Sequence, residues 1–170
     1  MFNAYAETFD PSGAWPAISD PRIDATIALA PWNEPILDPA TLDAHDVPTL
    51  IMVGSNDQIT PANRDALPIF QRMRNAPRTL VQFNNGGHFL FVDKCADLAI
   101  NLGFFSSCSD LVWDMDRTHD LTNHYSTAFL LRELYGEDTS SVFNEAPIGI
   151  TITSSAGELA NYQSEFELVP

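Results

Sequence analysis

Two residues have the type and spacing to do chemistry together, Asp57 and His88. Asp57 directly follows a uniformly apolar run, inside Gly54-Ser55-Asn56-Asp57-Gln58-Ile59-Thr60-Pro61. In open parallel sheets, functional groups gather just beyond the carboxyl ends of strands. A carboxylate there can accept a hydrogen bond from an imidazole Nδ1–H, which fixes the tautomer and stabilises the charged ring. The plainer role for Asp57 is to cap the following turn, and position alone leaves both open. His88 follows the next apolar run, behind Asn84-Asn85-Gly86-Gly87 and ahead of Phe89-Leu90-Phe91. The glycines permit a tight turn that brings the imidazole to the sheet edge, and the apolar residues after it would shield the ring from water. A lone histidine is most often a surface or packing residue. This one has a strand-end acid one βα unit before it, in the chain order acid then histidine that one hydrolytic triad uses.

The elements that must position this pair are legible in the hydrophobic pattern. Residues 23–29 (IDATIAL) form a short apolar strand stopped at Ala30-Pro31. Residues 49–53 (TLIMV), entered through Pro48 and left through Gly54, are apolar without alternation, as in a strand buried on both faces of a parallel sheet. Thr60-Pro61 is placed like a helix N-cap and N1 residue, for a helix over 62–74 kinked or split at Pro68. Residues 79–83 (TLVQF) give the third strand. A short helix over 95–103 and an amphipathic helix over 121–135, stopped by Gly136, follow. Residues 148–153 (IGITIT) alternate like an added edge strand. Residues 1–20, 32–47 and the last stretch are expected to be irregular. Strands alternating with helices predict a parallel α/β sheet.

With those elements in order, the pattern becomes specific. Segment 48–61 (PTLIMVGSNDQITP) resembles the acid strand and loop of α/β-hydrolases, and 85–91 (NGGHFLF) resembles their histidine loop. Segment 20–31 (DPRIDATIALAP) resembles the strand after the nucleophile helix, particularly in the dienelactone-hydrolase and platelet-activating-factor-acetylhydrolase-like branch. Segment 124–134 (HYSTAFLLREL) resembles that branch's closing helix. The resemblance spans roughly residues 15–140. It implies the C-terminal part of an α/β-hydrolase fold over 1–146, with an extension or edge strand and tail over 147–170. It further implies a serine ester hydrolase of carboxylesterase, lipase or dienelactone-hydrolase type, with a small-molecule or lipid ester as substrate and no cofactor. Asp57 would orient His88, His88 would be the base, and Trp32, Phe89 and Phe91 would line the substrate pocket.

One part of the triad is missing. Such enzymes carry their nucleophile in a G-x-S-x-G elbow at a strand-to-helix turn, and none of Ser12, Ser19, Ser55, Ser106, Ser107, Ser109, Ser126, Ser140, Ser141, Ser154, Ser155 or Ser164 sits in that pattern. Ser55 precedes the acid on the same strand end, and Cys95 and Cys108 follow the histidine. The expectation is that serine and oxyanion donors lie outside these residues, so that the chain alone is inactive. A short parallel sheet with an open edge should then self-associate or need its missing half. The alternatives are a non-catalytic α/β scaffold for binding or assembly and a flavodoxin-like fold that uses Asp57 for another ligand.

Composition bounds the partners. With 23 acidic and 8 basic residues, a net charge of −15 and Lys94 as sole lysine, the chain lacks the basic patch that nucleic-acid binding needs. The charge serves solubility or suits salty surroundings. No apolar run approaches the roughly 20 residues of a membrane span. Cys95 and Cys108, 13 residues apart, either pair in an exported protein or stay reduced in a cytosolic one. Residues 114–120 (DMDRTHD) resemble the start of a calcium loop, but His119 and Tyr125 occupy its glycine and glutamate positions. His119 and His124, five apart, do not share a helical face for a metal.

Overall fold

The computed structural model of the protein describes residues 20–33 and 39–155. The expected irregular lead-in and C-terminal tail fall outside these residues. Four strands form one sheet in the order β1 (Thr26–Leu29), β2 (Thr49–Gly54), β3 (Arg78–Phe83) and β4 (Ile150–Ser154). The first three are parallel, and β4 runs antiparallel along β3, with Phe83 opposite Ile150. This is a mixed α/β architecture, consistent with a partial α/β-hydrolase fold.

Every residue of β2 is buried, because helices cover both faces of the sheet. Side chains alternate across a strand. Ile51 and Val53 therefore join Leu80, Ala66, Leu67 and Phe70 on one face, while Leu50 and Met52 join Val81, Phe83, Leu121, Tyr125 and Phe129 on the other. The first face is covered by α1 (Pro39–Ala44) and α2 (Ala66–Arg72), the second by α4 (Met115–Tyr135). Burial holds the Tyr125 phenol above its ordinary pKa. Two further α-helices are short, α3 (Asp97–Asn101) and α5 (Ser140–Asn144), and single 3-10 turns lie at His88–Phe91 and Phe105–Ser107.

Three local expectations change. Residues 39–44, expected to be loop, form α1, because Pro39 is pre-set for the first helical position and Leu42 buries against the α2 side of the core. The helix expected over 62–74 starts only at Ala66, after a turn in which Asp65 N–H donates to the Pro61 carbonyl. Pro68 cannot donate to the Arg64 carbonyl, which instead accepts from Asn33 Nδ2 at 3.4 Å. Residues 115–120 are the first turns of α4, with Asp114 as N-cap accepting from Arg117 N–H at 2.9 Å and Gly136 closing the helix at φ 71°.

Strands β2 and β3 end level with one another, and the loops beyond them touch backbone to backbone. Asn56 N–H donates to the Gly86 carbonyl at 2.9 Å, and Ser55 N–H to that of Phe83 at 3.0 Å. A Cβ on Gly54 would lie 2.2 Å from Gly86 O and 2.6 Å from Gly87 O, an impossible overlap with backbone. The left-handed residue of the second loop is Asn85, at φ 60°, while Gly86 and Gly87 are needed for space against Leu90 and Asp110. The glycines thus serve close packing, and the asparagine makes the turn. Gly54→Ala should therefore cost about 1–3 kcal/mol or more in urea unfolding. A loss below about 0.5 kcal/mol, the range of neutral surface changes, would contradict the contact.

Candidate active site

Asp57 and His88 meet at the carboxyl edge of the sheet. His88 Nδ1 lies 2.8 Å from Asp57 Oδ2, the Asp57 side chain fully buried and the His88 side chain 26% exposed. The acid is held rigidly. Its Oδ1 accepts from the N–H groups of Ile59 and Thr60, both at 2.8 Å, and its Oδ2 accepts from Thr60 Oγ1 at 2.9 Å as well as from His88. Asp57 therefore caps its own turn and holds the histidine at once. The two roles weighed from sequence are both filled, one by each oxygen.

The contacts fix the proton on the ring. Thr60 Oγ1 is 3.1 Å from Nδ1, so two oxygens face that nitrogen. An ionised carboxylate can only accept, so Nδ1 must carry the hydrogen for its 2.8 Å contact with Oδ2 to be attractive. That leaves the Nε2 lone pair as the basic site. Among the described residues Nε2 has no hydrogen-bond partner, and the ring is only half buried. A base that can accept a proton from a nearby hydroxyl, backed by a fixed carboxylate, is what this arrangement supplies.

The histidine loop is anchored from behind. Gly87 N–H donates to Asp110 Oδ2 at 2.8 Å, while Asp110 Oδ1 accepts from Val112 N–H and Trp113 N–H. Trp113 Nε1 donates to the Asn84 carbonyl at 2.9 Å, and Ser55 Oγ accepts from Asn85 N–H at 2.8 Å. Ser55 Oγ thus ties the loop after β2 to the loop after β3. Cys95 and Cys108 are joined by a disulfide, with Cα atoms 5.3 Å apart, closing the segment that leads from the histidine to Asp110. Lys94 pairs with Asp116 at the base of that segment.

The aromatic residues divide. The Phe89 ring stands edge-on to the His88 ring, centroids 5.4 Å apart. Phe91 packs edge-on against Phe83 at 5.5 Å, at the border of the second core. Trp32 is half exposed, two residues beyond Ala30, whose carbonyl lies 3.2 Å from Thr60 Oγ1. His119 Nε2 sits 2.9 Å from the Val92 carbonyl, and the exposed His124 ring stands edge-on to Tyr125 with centroids 5.5 Å apart. Thr60 and Asp110 escaped the sequence reading. Thr60 carried the signal of a helix cap, and nothing local ties Asp110 to a glycine 23 residues earlier.

No helix among the described residues is long and apolar enough to cross a membrane. No curated protein matches the chain. Residues 12–106, more than half of it, match the family described as PET hydrolase-like, and that span contains both Asp57 and His88. The fold is consistent with this match, and the chain belongs to the PET hydrolase-like family, of α/β-hydrolase type.

Proposed function

We propose that this chain supplies the acid and the base of a serine ester hydrolase, with Asp57 orienting His88 and the nucleophilic serine contributed from outside these 170 residues. One observation carries the reading: the 2.8 Å contact between His88 Nδ1 and the buried Asp57 carboxylate, which leaves Nε2 of a partly exposed ring as the base in a chain of the PET hydrolase-like family. The lack of any G-x-S-x-G in the sequence supports placing the serine elsewhere.

In the reaction, His88 Nε2 takes the proton of the serine hydroxyl as its oxygen bonds to the ester carbonyl carbon. The resulting imidazolium is stabilised by Asp57 and returns the proton to the departing alkoxide as the ester C–O bond breaks. Water then releases the acyl group by the same proton path in reverse. Phe89, against the imidazole, and Trp32, in the loop after β1, would form the apolar border for the substrate. Phe91 would contribute through the core beneath the loop. The finer kinship to dienelactone hydrolases and platelet-activating-factor acetylhydrolases rests on segments 20–31 and 124–134. The disulfide favours an oxidising, exported setting. The substrate is a small-molecule or lipid ester, and β1, paired on one side only among the described residues, would take up the missing strands or a second copy.

Fluorophosphonate labelling tests this directly. The 170-residue chain should remain unlabelled, whereas the serine-bearing protein should label and hydrolyse a p-nitrophenyl ester. His88→Ala in that protein should lower kcat by about a thousandfold or more. Labelling of the chain alone, or activity surviving His88→Ala, would contradict the assignment.

A further inference from the structure

Thr60 stands where the N-cap of a helix was expected and does different work. Its side chain is buried, and Oγ1 faces three polar atoms: Asp57 Oδ2 at 2.9 Å, His88 Nδ1 at 3.1 Å and the Ala30 carbonyl at 3.2 Å. The hydroxyl owns one proton and two lone pairs. Its proton has two acceptors, and the carboxylate is both nearer and charged, so Oδ2 takes it. Asp57 then holds four donors, two on each oxygen, which completes the hydrogen bonding of a buried carboxylate.

We infer that Thr60 is a positioning residue of the acid–base pair, whose hydroxyl shares Asp57 Oδ2 with His88 and so sets the basicity of the imidazole. The inference rests on the proposed function for its meaning in catalysis, and on geometry alone for its existence. A donor on Oδ2 draws charge from the oxygen that stabilises the imidazolium. Removing that donor leaves Oδ2 to His88 alone, strengthens the ion pair and raises the pH at which the ring loses its proton. Ala30, just past β1, has a left-handed backbone at φ 46°, and its carbonyl lies 3.2 Å from Thr60 Oγ1.

The other charged groups around the histidine loop stay constant when Thr60 is changed. Asp110 is bonded to the Gly87 N–H. On α4, which packs against residues 88–91, His119 is bonded to Val92, and the Lys94–Asp116 pair lies beyond.

The test is an NMR titration of the His88 ring in the 170-residue chain, comparing wild type, Thr60→Ser and Thr60→Val. Valine keeps the shape and removes the hydroxyl. The His88 midpoint should rise by about half a pH unit or more in Thr60→Val, and Thr60→Ser should titrate with the wild type. Should valine prevent folding, Thr60→Ala is read by the same criterion. A midpoint that stays at the wild-type value or falls on loss of the hydroxyl overturns the inference, as does a serine variant that behaves like valine. The titration needs neither substrate nor nucleophile. A failure of ester hydrolysis in the serine-bearing protein would therefore sink the proposed function and leave this result standing.

Discussion

The site depends on a contact between two stretches of backbone. β2 and β3 end side by side, and Gly54 lies so close to the carbonyls of Gly86 and Gly87 that no larger residue fits. This fixes the distance between the loop carrying Asp57 and the loop carrying His88 before any side chain is considered. The parallel register brings the two loops to one edge, and the missing Cβ lets them close. The hydrogen bond between carboxylate and imidazole follows from that closure, as do the ties through Asn56, Ser55 and Asp110.

Burial gives the contact its chemical consequence. The Asp57 carboxylate is removed from water, so it must find donors within the protein, and it finds backbone N–H groups on one oxygen and side-chain groups on the other. A buried carboxylate satisfied this way can remain ionised, and an ionised carboxylate dictates which nitrogen of His88 keeps its hydrogen. The outward nitrogen then acquires basic character without touching the acid. Each step is short-range, and the sheet supplies the rigidity that short-range chemistry requires.

Much of this was legible in the residues and part was not. The uniformly apolar run at 49–53 announced a strand covered on both faces, and both faces are covered. The positions of Asp57 and His88 at successive strand ends sufficed to nominate them as a pair. Local signals misled where a side chain had a distant partner. Thr60 carries every mark of an N-cap, yet its hydroxyl turns back to the Asp57 carboxylate and lies 3.1 Å from a histidine 28 residues on. The polar opening of α4 hid behind the acidic run at 114–120, because apolar periodicity begins only at Leu121, and α1 is a single turn-and-a-half held by Leu42. Asp110 reaches Gly87 across a disulfide-closed segment, a geometry that spacing alone does not encode.

The central claim is that a buried, ionised Asp57 fixes the hydrogen of His88 on Nδ1 and leaves Nε2 as the base. The proton and nitrogen NMR signals of the His88 ring at neutral pH read this directly. The account predicts a far-downfield proton attached to Nδ1, with Nε2 unprotonated, and loss of that signal with a change of tautomer in Asp57→Asn. A neutral ring carrying its hydrogen on Nε2, or a spectrum indifferent to Asp57→Asn, would contradict it.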